Sequence, residues 1–400
     1  MPRAHYGQAI VAASFLIQGV TVGGLFAFGV LFTELEAEFG WSRATIAAAS
    51  SLNMLTMGAL AVLAGRLSDR LGPRLVLTVS AVAYGAGYML MSALGATWQL
   101  YLFWGILVGI GMSTHDVVTL STVARWFPER RGIVSGVVKL GTASGQLAIP
   151  LVAAALIAAF GWRAACQAFG LAALVALLVA AQAMRRDPHS AASGALPPGA
   201  GVSASHGGPG LREALRLPAL WILCGSQFIV FACLMTTTVH IVPHAVDLGL
   251  ERAAAAGLLS AVGGASMLAR VAIGGAIDRV GGRRALLAAY AVLLASFAWL
   301  QFAQAPWALY AFAALYGFAH GGFFTATSPT VAEMFGTRAH GVLFGTVLFF
   351  GSLGGALGPI AAGAAYDATS SYRAAFAVLA LLAAAGFALV TRLGRGRAGW

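Results

Sequence analysis

Charged residues are scarce in this 400-residue chain: they make up 9% of it, against 60% hydrophobic residues, and the mean hydropathy is +0.84. A soluble globular domain is about 25% charged, so this composition excludes one and predicts a polytopic membrane protein. The few charges are unequal in sign, with 24 basic side chains and 13 acidic ones. In a membrane protein such an excess orients the chain in the bilayer, so the net charge of +11 does not indicate nucleic-acid binding.

Cysteine and lysine are rarer still. The three cysteines, Cys166, Cys224 and Cys233, lie inside apolar runs without CxxC spacing, and we expect buried, unreactive thiols. Lys139 is the only lysine in the chain. No glycine-rich loop ending in Gly-Lys-Ser/Thr is present, so the sequence predicts no nucleotide-dependent step and no cofactor.

Apolar runs of spanning length predict twelve transmembrane helices in an all-α protein. We expect them at roughly 8–33, 43–66, 74–95, 98–124, 131–160, 163–184, 218–246, 253–275, 284–303, 306–331, 340–366 and 373–392. The segment 185–217 is rich in Gly, Pro, Ser and Ala and predicts a linker between six-helix bundles at 1–184 and 218–400.

The arginines predict the orientation in the membrane. Eighteen lie at the termini, in the linker and in the even-numbered connections; the odd-numbered connections hold only Arg43, Arg163, Arg252 and Arg373. By the positive-inside rule both termini and the linker are cytoplasmic. We expect a monomer in a bacterial inner membrane.

A motif of glycines around an Asp-Arg pair occurs twice. The first copy is Gly65-Arg-Leu-Ser-Asp69-Arg70-Leu-Gly72-Pro-Arg74, and 209 positions later the second is Gly274-Gly-Ala-Ile-Asp278-Arg279-Val-Gly281-Gly-Arg283-Arg284. The same offset superposes Gly145 on Gly354 and Pro150 on Pro359. The chain is therefore a duplicated half, and each motif forms a tight turn between two spans.

These turns resemble the loop signature Gly-x-Leu-x-Asp-Arg-x-Gly-x-Arg of the major facilitator superfamily, which lies on the cytoplasmic side in both halves of those transporters. The second copy departs from it by having Ala276 in place of the leucine. The resemblance implies the major facilitator fold and alternating access, with Gly65, Asp69, Arg70, Gly72, Arg74, Asp278 and Arg279 in gating loops.

Two further stretches resemble the monocarboxylate and oxalate/formate branch of that superfamily. They are Phe28-Gly-Val-Leu-Phe32 followed by Glu38-Phe-Gly-Trp41-Ser-Arg43, and His240-Ile-Val-Pro243-His244-Ala-Val-Asp247-Leu-Gly249. In that branch an arginine at the point matching Arg270 binds the substrate carboxylate. The mammalian relatives also have a lysine in the first span and an aspartate one turn before this arginine, and both are absent here, where Ser266 precedes Arg270.

Ionisable residues inside membrane spans are costly and usually functional, and the candidates here are His115, Asp116, Lys139, Arg270 and His320. Asp116, Lys139 and Arg270 each stand eight or nine positions from a charged residue at the cytoplasmic boundary. At 1.5 Å per residue this distance is about 12–14 Å, which places all three near the membrane centre, where transporters bind their substrates.

Arg270 is the expected anchor of a carboxylate, because its planar fork suits two parallel hydrogen bonds. We expect Lys139, His115, Tyr316 and His320 to line the same cavity. For Tyr316 and His320 the alternative is core packing, and for Arg270 it is a structural pair with Asp116 or with a carbonyl group.

Asp116 and Lys139 are predicted to couple transport to protons. Burial favours the neutral form of each alone, whereas proximity keeps both charged, so protonation of Asp116 would free Lys139 to assist with the anion. A static buried ion pair is the alternative.

Together these features predict a secondary transporter of lactate-like or pyruvate-like monocarboxylates. A carboxylate antiporter of the oxalate/formate type is the nearest rival, but 341–366 lacks the second cation that those relatives carry. A drug exporter and a carboxylate receptor are further alternatives, and an enzyme is not expected. His240 and His244 have metal-ligand spacing, but Pro243 lies between them and no carboxylate completes a site, so we expect no metal.

Overall fold

The regular elements of the computed structural model are all helices within the residues it describes, 3–41, 43–186, 208–369 and 371–394. Residues 187–207 of the predicted linker and the end segments 1–2 and 395–400 lie outside the described residues. The helices of the first half begin with α1 (Arg3–Phe39), α2 (Arg43–Leu71), α3 (Pro73–Met91) and α4 (Thr97–Trp126).

Arg131–Ala183 forms 53 continuous helical residues except at Gly161, whose φ of 78° and ψ of 159° are not helical. A positive φ is easily adopted only by glycine, so Gly161 divides this segment into α5 (131–160) and α6 (162–183). The sequence predicts a break at this place, between spans ending at 160 and starting at 163.

The second half comprises α7 (Pro218–Asp247), α8 (Arg252–Val280), α9 (Gly282–Leu300), α10 (Pro306–Phe335), α11 (His340–Thr369) and α12 (Arg373–Thr391). Ten helices of the described residues are long and apolar enough to cross a membrane, with α5 and α6 counted together and α10 not among them. At 30 residues α10 is about 45 Å long, enough to cross a bilayer. The described residues thus contain the twelve long helices that the sequence predicts.

The chain divides into two compact units. The first unit consists of Met1–Pro128, Val137–Gly208 and Gly336–Gly345; the second consists of Glu129–Gly136, Pro209–Phe335 and Thr346–Trp400. Each unit therefore holds one half of the sequence together with the first residues of a helix, α11 or α5, from the other half. The predicted domain boundary at 185–217 stays a prediction.

The internal repeat is visible in the packing of each unit. In the first unit a Cβ on Gly145 in α5 would overlap the carbonyl of Gly19 in α1, and in the second unit a Cβ on Gly354 in α11 would overlap the carbonyl of Phe228 in α7. Both positions of the first contact correspond to those of the second under the 209-residue offset, with Gly145 matched by Gly354 and Gly19 by Phe228. The duplication therefore extends from the motifs to the helix contacts, where a glycine lets two backbones approach closely.

Candidate functional site

A local break in α4 positions two of the buried ionisable residues. The helix passes through a π-helical segment, Tyr101–Val108, and is interrupted at Ser113 and Thr114 before its last segment, His115–Trp126. The Ser113 hydroxyl donates to the Ile110 carbonyl at 2.7 Å, a local bond that competes with regular helix geometry. His115 and Asp116 consequently stand in the first turn of a helical segment, and the N-terminal end of a helix favours negative charge.

Asp116 and Lys139 form a buried ion pair in the first unit. The ammonium group of Lys139 on α5 donates to Asp116 Oδ1, and the two residues are 2% and 8% exposed. The ion pair considered from the sequence is therefore present. A buried pair of this kind is costly to break on one side only, because the remaining charge loses its partner.

Gln18 of α1 holds the same carboxylate and was not among the predicted site residues. Its amide nitrogen lies 2.8 Å from Asp116 Oδ1, 3.0 Å from the His115 carbonyl and 3.0 Å from Thr119 Oγ1. The Thr142 hydroxyl on α5 donates to the side-chain oxygen Oε1 of Gln18 at 2.7 Å. One fully buried amide therefore joins α1, α4 and α5 around the ion pair.

His115 approaches the other oxygen of the carboxylate. Its Nε2 lies 3.6 Å from Asp116 Oδ2, and its Nδ1 lies 2.6 Å from the carbonyl oxygen of Met112. The structure therefore brings together three of the predicted residues, His115, Asp116 and Lys139, within the first unit.

Arg270 and His320 lie in the second unit, on two helices that face each other. Arg270 is 1% exposed on α8, and its guanidinium carbon lies 5.8 Å from the ring centre of Phe324 on α10. One turn earlier on each helix, Ser266 Oγ and His320 Nδ1 are 3.1 Å apart. The centres of the His320 and Phe324 rings are 4.8 Å apart, so a cation, a hydroxyl, an imidazole and an aromatic face form one cluster.

Tyr316 is placed differently from its helical neighbour His320. It is 1% exposed, its hydroxyl donates to the Leu234 carbonyl at 2.7 Å, and its ring stacks on Phe312 at 5.5 Å. These are the contacts of a packed core residue, the alternative weighed for Tyr316 from the sequence. A substrate contact for Tyr316 stays a prediction.

The aspartates of the two repeated motifs each bind the N-terminus of a helix. Asp69 accepts from the backbone N–H groups of Gly341 at 3.3 Å and Val342 at 3.1 Å, at the start of α11. Asp278 accepts from those of Gly132 at 2.7 Å and Ile133 at 2.9 Å, at the start of α5. The two sets correspond under the 209-residue offset.

The other motif residues shape the turns. Gly72 has a φ of 96° and Gly281, its repeat partner, a φ of 84°, so both adopt a backbone conformation suited to glycine. A Cβ on Gly65 would overlap the Gly341 carbonyl. The arginines Arg70, Arg74 and Arg279 are exposed.

His240 is engaged by protein groups at both ring nitrogens. Nε2 lies 3.0 Å from the Pro359 carbonyl on α11, and Nδ1 lies 3.2 Å from the Tyr372 hydroxyl beside α12. His244 packs edge-on against Tyr372 and Phe376. The three cysteines are buried and free, as predicted.

Twelve long helices in two related bundles, with buried charges of both signs among them, are the architecture of a multi-pass membrane transport protein. A sequence model of the Major Facilitator Superfamily matches residues 14–298 and 242–398, and the chain belongs to that superfamily. The predicted fold class is thereby confirmed.

Similar proteins agree with this assignment. Monocarboxylate transporter 13 of Rattus norvegicus is 29% identical over 98% of this chain and 90% of its own length. The agnestins efflux protein AgnL12 of Paecilomyces divaricatus is 26% identical over 87% of this chain and 78% of its own length. Among solved structures, the proton:xylose symporter XylE covers 98% of this chain and 97% of its own with a TM-score of 0.78 at 13% identity, a likeness of fold. These relatives are transporters, not enzymes.

Proposed function

We propose that this chain is a secondary active transporter of small organic monocarboxylates such as lactate or pyruvate, coupled to protons. It works by alternating access in a bacterial inner membrane, with both termini in the cytoplasm, as the arginine distribution supports. The motif turns around Asp69 and Asp278 act as gating elements. The similarity to monocarboxylate transporter 13 supports the substrate class.

The burial of Arg270 is the observation that carries the proposal. A guanidinium in the membrane interior is retained at a considerable cost, and such residues mark substrate pathways. Its planar fork suits a carboxylate, and Phe324 at 5.8 Å and the nearby Ser266–His320 pair offer an apolar face and polar groups for a small acid. Anions are favoured because the charged side chains buried within the described residues are Arg270 and Lys139 against Asp116.

Proton coupling is assigned to the charged group of the first unit. While Lys139 is bound to Asp116, its charge is neutralised. A proton entering this group weakens the pair and releases the ammonium group for an anion. Release of the substrate then restores the pair.

Binding of labelled lactate to the purified Arg270→Lys variant tests the substrate anchor. The lysine keeps the positive charge but loses the fork, and a hydrogen bond to a charged group is worth about 1.5–3 kcal/mol, so we expect affinity to fall by about 10- to 100-fold. Arg163→Lys is the matched control, because Arg163 is 44% exposed and pairs with Glu38. Wild-type affinity in Arg270→Lys would mean that the carboxylate is held elsewhere.

Export of larger amphiphilic compounds is the second candidate, supported by the similarity to the agnestins efflux protein. The positive excess among the buried side chains favours small anions over cationic drugs. The oxalate/formate type of antiporter is disfavoured because 341–366 contains no lysine or arginine.

A further inference from the structure

We propose that the proton carried by this transporter binds to Nε2 of His115, while Asp116 remains ionised throughout. The inference rests on the proposed proton coupling and names the atom that performs it. It replaces the sequence-based expectation that Asp116 itself takes the proton.

The hydrogen bonding of His115 determines which of its nitrogens carries hydrogen. The Met112 carbonyl, 2.6 Å from Nδ1, can only accept a hydrogen bond, so the hydrogen of the neutral imidazole is on Nδ1. Nε2 then presents a lone pair, and the group that it faces is the carboxylate oxygen Asp116 Oδ2, at 3.6 Å. Two acceptors facing each other form a place where an added proton is stabilised.

Asp116 is the weaker candidate because its charge is already well supported. Oδ1 receives the Lys139 ammonium group and the Gln18 amide, and the residue stands in the first turn of the segment His115–Trp126. Each of these interactions favours the carboxylate form. Protonating Asp116 would weaken all of these interactions at once. Protonating His115 instead places a second cation beside the same carboxylate.

The charged groups around His115 within the described residues are few. Asp116 is on its own helix and Lys139 is on α5, while α1 contributes only the neutral amide of Gln18. The acidic residue of α2, Asp69, pairs with Arg125 of α4, which is ten positions beyond His115. The one charge of α3, Arg74, is exposed in its first turn. The protonation of His115 is thus governed by Asp116 and opposed by Lys139.

The proposed step is a single, reversible proton transfer to His115. A proton delivered by water adds to the Nε2 lone pair, the Nδ1–H bond to Met112 is kept, and the neutral imidazole becomes an imidazolium. Asp116 then lies between two cations, His115 on Oδ2 and Lys139 on Oδ1, so its hold on Lys139 weakens. Loss of the proton to the other side of the membrane reverses the change.

Uptake of labelled lactate into proteoliposomes, measured with and without an inward proton gradient, tests the assignment. Glutamine can still donate a hydrogen bond to the Met112 carbonyl but cannot be protonated. In His115→Gln, uptake with the proton gradient should therefore equal uptake without it, so that their ratio falls to one. His320→Gln, in the second unit, is the control and should keep a ratio above one even where its rate falls. A parent-like ratio in His115→Gln would overturn the proposal.

Infrared titration of the purified parent protein provides an independent measurement that needs neither transport nor substrate. We expect an imidazole-to-imidazolium change that disappears in His115→Gln. A protonated-carboxyl signal that disappears in Asp116→Asn, or no change at either residue, would refute the assignment. A parent that carries no monocarboxylate would instead contradict the proposed function, and the titration would still decide which residue binds the proton.

Discussion

Gln18 is a single neutral side chain on which three helices and an ion pair converge. Its repeat partner, 209 positions later, is Gln227 on α7, whose amide oxygen accepts from the Thr327 hydroxyl at 3.1 Å. The glutamine is thus present in both bundles, but within the described part of the chain only the first copy bonds to a charged group. The repeat therefore supplies a matched pair for separating packing from charge.

We expect Gln18→Leu to be more damaging than Gln227→Leu. The first change takes a donor from the buried Asp116 carboxylate and leaves Thr142 without its acceptor, a loss of about 1–3 kcal/mol, whereas the second removes one neutral bond worth about 0.5–1.5 kcal/mol. Thermal unfolding in detergent measures the difference. Gln18→Leu should also change the pH dependence of uptake, and equal effects of the two variants would show that Gln18 serves packing alone.

The sequence identifies the charged residues inside the spans but not the side chains that bind them. Arg270, Lys139 and Asp116 stand out because a charge inside an apolar run has no structural reason on its own helix, and all three are buried. Gln18 gave no such signal, since an isolated amide in a span also fits a simple bridge between helices. Its partners lie 97 to 124 positions away, beyond what helical periodicity relates.

The two motif aspartates bind helix N-termini in the same way, but Asp69 also has an ion-pair partner. Each carboxylate binds two N–H groups at a helix start, where the backbone favours negative charge. Asp69 also pairs with the Arg125 side chain, and the two side chains are 11% and 13% exposed. Asp278 is exposed. Substitution of Asp69 should therefore destabilise the protein more than substitution of Asp278.

Asp69→Asn is expected to lower the thermal stability of the purified protein by more than Asp278→Asn does. A carboxylate at a helix N-terminus contributes about 0.3–2 kcal/mol, and Arg125 additionally loses its ion-pair partner. Asp247→Asn is the control, because Asp247 is exposed at the end of α7. Melting temperatures that match in all three variants would remove the aspartates from any structural role in these turns.

The elements themselves were largely predictable, because apolar length and glycine punctuation mark spans and turns. The interior of α4 was not. Hydrophobic patterning registers neither its π-helical segment nor the interruption at Ser113 and Thr114, whose hydroxyls bond to the carbonyls of Ile110 and Gly111. That irregularity sets the positions of His115 and Asp116, so the site depends on the least predictable part of the helix.

At the scale of the whole molecule, duplication explains both what the bundles share and where they differ. Glycine contacts, the turn motifs and the paired glutamines follow the 209-residue offset. The buried charged side chains do not, because Ala61 corresponds to Arg270, and Leu348 to Lys139. A common scaffold therefore holds different buried charges in its two halves, Arg270 in one and the Lys139–Asp116 ion pair in the other, to which we assign the proposed carboxylate anchor and proton coupling.

Uptake of a panel of labelled organic acids into proteoliposomes containing the parent protein distinguishes the proposed monocarboxylate transporter from its rivals. We predict that lactate or pyruvate accumulates when the inward proton gradient is imposed, and that a dicarboxylate such as oxalate and a cationic drug do not. Accumulation of oxalate or of the drug, with no uptake of any monocarboxylate under either condition, would contradict it.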